Sequence, residues 1–61
     1  MKKHVLRVVY AKDGGTYESR FNSDYSPAEM EQLLKVPSCD EPEVVAIRRG
    51  GVVIFIGEAL G

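Results

Sequence analysis

Sixty-one residues with one cysteine, one histidine and a net charge of −1 set narrow bounds on this chain. That length makes a single domain over residues 1–61, near the lower limit for unaided folding. The lone Cys39 excludes an internal disulfide, and with only His4 beside it a protein-only zinc site is not expected, which leaves self-association as the route to extra stability.

Met1-Lys2-Lys3 opens like a signal peptide, but Arg7 interrupts the apolar run too early. No stretch approaches the ~20 apolar residues of a membrane span. The expectation is a complete, soluble, cytoplasmic protein. Charge is unevenly spread. Residues 1–22 carry Lys2, Lys3, Arg7, Lys12 and Arg20 against Asp13 and Glu18, a balance of +3. Residues 23–47 carry Asp24, Glu29, Glu31, Asp40, Glu41 and Glu43 against Lys35, a balance of −5.

His4 to Ala11 reads as a strand with Leu6, Val8 and Tyr10 on one face. Asp13-Gly14-Gly15 is a turn signal, and Thr16 to Asn22 returns as the second strand, giving a hairpin over 4–22. Either two-residue loop puts Leu6, Val8 and Tyr10 on the face of Tyr17, Ser19 and Phe21. Val5, Arg7 and Val9 then share the other face with Glu18, Arg20 and Asn22.

Ser26-Pro27-Ala28-Glu29 is a complete helix start: an N-cap serine, a proline at the first helical position and a glutamate that closes a capping box. Tyr25 and Met30 suit a hydrophobic staple. The helix is predicted over 27–36, burying Met30, Leu33 and Leu34, and stopped by Pro37. Residues 37–43 form an acidic, proline-bounded connector.

Val44 to Ile56 contains two β-branched runs around Gly50-Gly51, which reads as a type I′ hairpin over 44–57. Arg49 would face Val52, Ile47 would face Ile54, and Val45 would face Ile56. Val44, Ala46, Val53 and Phe55 would fall on the opposite face. Both faces are apolar. The predicted fold is therefore α+β: a small two-layer ββαββ domain, its four-stranded, mainly antiparallel sheet carrying one helix on one face. One helix, ~10 Å across, cannot cover four strands at ~4.8 Å spacing, so one face of the second hairpin, that of Val53 and Phe55 or the opposite set, stays open as an apolar patch.

No catalytic set is expected. His4 has no paired nucleophile in the sequence, and Cys39 sits among acids that disfavour its thiolate. Asp40, Glu41 and Glu43 lack EF-hand spacing, and neither glycine pair opens a phosphate-binding helix. The sequence therefore points to a non-enzymatic protein-interaction module without metal or cofactor. Its expected state is a homodimer, acting as an inhibitor or adaptor on a protein partner. By analogy of size alone, phage or mobile-element inhibitors of a host or defence enzyme are of this kind.

The partner-binding candidates are Val53, Phe55, Glu31, Asp40, Glu41 and Glu43, with the acids facing a basic partner. The alternative is a small nucleic-acid-binding protein using Lys2, Lys3, Arg7, Arg20, Arg48 and Arg49, with Tyr10, Tyr17 and Phe21 as stacking platforms.

Overall fold

The computed structural model describes residues 2–59, so the two ends of the domain expected over 1–61 lie outside the described residues. Strand β1 (His4–Lys12) pairs antiparallel with β2 (Gly15–Ser23). Helices α1 (Pro27–Leu34) and α2 (Pro42–Arg49) follow, and β3 (Val52–Glu58) returns antiparallel to the other edge of β1. The order is β2-β1-β3.

The first hairpin turns through Asp13 (φ 48°) and Gly14 (φ 81°). Two successive positive φ angles are what a type I′ turn demands, and they match the twist of the flanking strands. The resulting register sets Leu6 opposite Phe21, Val8 opposite Ser19 and Tyr10 opposite Tyr17. Helix α1 begins with the reciprocal capping box: Glu29 N–H donates to Ser26 Oγ (3.2 Å) and Ser26 N–H donates to Glu29 Oε1 (3.1 Å). It ends at Leu34, short of the predicted residue 36, with Lys35 as C-cap.

The second half corrects the sequence expectation. Residues 44–49 are helical, so there is no second hairpin, and the sheet has three strands under two helices rather than four under one. The connector shortens, because Pro42 and Glu43 of the expected 37–43 span already belong to α2.

The physical reason is burial. As a helix, the segment puts Val44 and Ile47, three residues apart, into the core. Each buried aliphatic side chain contributes about 1.5–3 kcal/mol. The helix penalty of Val44, Val45 and Ile47 is at most about 0.7 kcal/mol each. Burial wins. The segment also has helix punctuation at both ends: Pro42 and Glu43 in the first turn, Arg48 and Arg49 in the last. Gly50 is then the C-cap rather than half of a hairpin turn, and Gly51 leaves at φ +137°.

The core lies between the sheet and the helices: Leu6, Val8, Tyr10, Met30, Val44, Ile47 and Ile56 are buried, with Phe21, Tyr25, Leu33, Leu34, Cys39 and Val53 packed around them. Arg48 holds the helix connection in place. Its guanidinium donates to the carbonyls of Leu34 (3.2 Å), Val36 (2.6 Å) and Cys39 (2.8 Å), with Pro37 at 3.5 Å. Leu34 is the last residue of α1, so one side chain of α2 caps the preceding helix.

Candidate protein-interaction surface

Both helices sit on one face of the sheet, which leaves the other uncovered among the described residues. Strand parity places Val5, Arg7 and Val9 of β1 there, beside Glu18 and Arg20 of β2. From β3, Val52 pairs with Ala11 and Phe55 pairs with Val9. Phe55 is 50% exposed, Val52 69% and Val5 40%. The Phe55 ring leans along its strand over Gly57, where an added Cβ would stand 2.9 Å from the ring. The Arg7 guanidinium lies 5.7 Å from the centre of that ring, a cation–π distance, and its Nε donates to the Glu18 carboxylate.

A regular strand would put Val53 and Phe55 on the same face. They are on opposite faces. The register shifts between Val9 and Tyr10, so Val53 pairs with Tyr10 on the core side while Phe55 pairs with Val9 on the open side. The residue left over in this bulge is Ile54, 54% exposed. It lies on the rim of a groove of about 270 Å³ between β3 and α1, whose helical wall is Glu31, Leu34 and Lys35. The expected exposure of Val53 is thus corrected: it is half-buried against the core, and Ile54, whose role depends on the bulge, takes its place at the surface.

The acidic candidates do not converge. Glu31 borders the groove, whereas Asp40 and Glu41 are on the connector. Glu43 is tied to the segment before β1 through Lys2, whose Nζ stands 2.8 Å from its carboxylate and 3.8 Å from Asp24. Partial burial pushes the Glu43 carboxyl up, but the Lys2 ammonium that donates to it outweighs this and, with Ser23 and the Asp24 backbone, holds it below the ordinary 4.5. The same hydrogen bond to Glu43 raises the Lys2 ammonium. On the connector, the charge of Glu41 raises the Tyr25 phenol.

The basic candidates are also dispersed. Lys2 serves Glu43, Arg7 serves Glu18 and Phe55, and Arg48 is occupied by backbone carbonyls. Lys3, Arg20 and Arg49 have no ion pair among the described residues. Tyr10 is buried and stacks on Tyr17 with ring centres 4.9 Å apart, and the Tyr17 hydroxyl donates to the Gly50 carbonyl. Neither ring stands free as a stacking platform. His4 Nδ1 lies 2.7 Å from the Glu58 carboxylate, and Cys39 is a free, half-buried thiol.

Among the described residues, no three His, Cys, Asp or Glu side chains cluster as a metal site, and no helix is long and apolar enough to cross a membrane. In comparison with known proteins, the chain matches no family model, no curated protein and no solved structure.

Proposed function

We propose that this chain is a small non-enzymatic protein-interaction module, an inhibitor or adaptor, that docks on its partner through the open sheet face centred on Phe55. The observation that supports this is the continuity of Val5, Val9, Val52 and Phe55 on a face that no element covers among the described residues. Contiguous apolar surface of this kind, rimmed by polar groups, marks interaction sites. An exposed aromatic with an arginine, Arg7, against its ring has the composition of an interface hot spot. Arg7 is neutralised by Glu18, whereas Arg20 has no such pair among the described residues, so the complementary partner surface is an apolar patch bordered by a carboxylate for Arg20.

The test compares the wild-type chain with Phe55→Asp as baits, then reconstitutes any differentially retained protein from purified components. Phe55 lies outside the core cluster, so circular dichroism of the variant should match wild type. With the purified partner, calorimetry should show binding weakened about 100-fold by Phe55→Asp and about tenfold by Arg20→Ala. Equal affinity of wild type and Phe55→Asp for that partner would reject the open face as the docking surface.

A further inference from the structure

The two edges of this sheet are built differently. On β2, Glu18 and Arg20 lie within the strand, and such charges discourage edge-to-edge pairing. On β3, Val52-Val53-Ile54-Phe55-Ile56-Gly57 contains no proline and no charge before Glu58. The Ala59 N–H donates to the Val5 carbonyl at 2.8 Å. By the alternation of an antiparallel ladder, the Gly57 and Phe55 peptide groups turn toward β1 and those of Ile56 and Glu58 turn outward. No strand among the described residues covers that outer edge.

Helix α1 flanks the same edge and carries a charge pattern suited to a two-fold axis. Glu31 and Lys35, one turn apart, line the groove on either side of Leu34, and neither is ion-paired among the described residues. A two-fold axis perpendicular to the sheet at mid-β3 reverses both the strand and the helix. In such an isologous contact residue i meets j while j meets i. The opposite charges at 31 and 35 are then complementary to their own copies.

We infer that a second copy of this chain occupies the β3 edge, with β3 pairing antiparallel to the partner's β3. Glu31 of each α1 faces Lys35 of the other, and Ile54 is enclosed between them. The resulting six-stranded sheet is continuous, and both Phe55 rings remain on its uncovered face. This goes beyond the docking proposal, which holds for a monomer or a dimer.

Light scattering across a dilution series, in reducing buffer, tests it with three samples. Wild type should have twice the chain mass and dissociate on dilution. Glu31→Lys and Lys35→Glu each create two like-charge contacts, so each alone should dimerise about tenfold more weakly or worse. Both positions are exposed, and circular dichroism should be unchanged. Mixing the two variants should restore a dimer of wild-type strength. In the mixed dimer the introduced lysine faces the introduced glutamate across the axis, and the native Glu31 of one chain faces the native Lys35 of the other.

In-chain effects on either helix cannot produce that rescue. A wild-type monomer at high concentration, single variants that dimerise like wild type, or a mixture without rescue would each overturn the inference. Phe55→Asp should leave the dimer intact, so loss of partner docking and loss of self-association are read separately.

Discussion

Gly50 stands so close to the Tyr10 ring that a Cβ there would lie 2.6 Å from both Cζ and the phenolic oxygen. The end of α2 thus rests on the middle strand with only a hydrogen between them. Tyr10 is fully buried and cannot swing away. Gly50→Ala should cost about 1–3 kcal/mol, the range of core overpacking. In a domain of this size that lowers Tm by roughly 4–8 °C per kcal/mol, which a thermal melt resolves. Gly51→Ala should also destabilise, for another reason: its Cβ has room, but φ +137° strains an L-residue.

The stacked tyrosines should respond with opposite signs to the same change. The Tyr10 hydroxyl is buried without a hydrogen-bond partner among the described residues, whereas that of Tyr17 donates to the Gly50 carbonyl. Removing an unsatisfied buried polar group relieves a desolvation cost of about 1–3 kcal/mol. Tyr10→Phe should therefore raise the urea midpoint. Tyr17→Phe should lower stability by about 1 kcal/mol, the usual net value of a hydrogen bond.

Arg48→Ala should loosen the connection between the helices. Several carbonyls lose a charged donor at once, and a hydrogen bond to a charged group is worth about 1.5–3 kcal/mol. Arg48→Lys should recover only part, because an ammonium cannot span the carbonyls of Leu34, Val36 and Cys39 as a planar fork does. Arg49→Ala, one residue on and exposed, should stay within about 0.5 kcal/mol. Urea titrations of the three variants check the ranking.

Stability should fall at both ends of the pH scale. Hydrogen bonds from the Ser26 backbone and hydroxyl hold the Glu29 carboxyl below 4.5, and Glu43 is also held below it. A carboxyl depressed by folding stabilises above its unfolded value, and that contribution is lost as pH drops through the folded value. The acid limb should begin below about pH 4.5, and Glu43→Gln should flatten it. Burial raises the Tyr10 phenol above 10.0. Its contribution is complete below that value and is lost as pH rises through the higher folded one. Tyr10→Phe should remove that part of the alkaline limb.

The N-terminal half was legible because its signals are local. Asp13-Gly14-Gly15 prescribes a loop of two residues, either placement of that loop gives the same division of faces, and the Ser26–Glu29 box needs only its own four residues. At 44–51 two local grammars compete. Gly50-Gly51 between β-branched runs spells a hairpin, while Pro42-Glu43 and Arg48-Arg49-Gly50 spell a capped helix. Only the tertiary choice between burying one stripe and leaving two apolar faces open decides. The exposure of Phe55 was legible, but the separation of Val53 and Phe55 onto opposite faces was not, because a regular strand keeps them on one face and the bulge does not. The task of Arg48 depends on two helices meeting, which no spacing in the sequence records.

The central place of β1 has a kinetic consequence. One of its edges is satisfied by its neighbour across two residues, a closure on the order of microseconds. The other edge waits for Val52–Glu58, with both helices in between. The nascent hairpin therefore carries half of an unfinished sheet until the last strand arrives, and closing that long loop should limit the rate. Substitutions at Asp13 or Gly14 should then act mainly on refolding, and those on the outer side of β3 mainly on unfolding, a division that the two arms of a chevron plot would display.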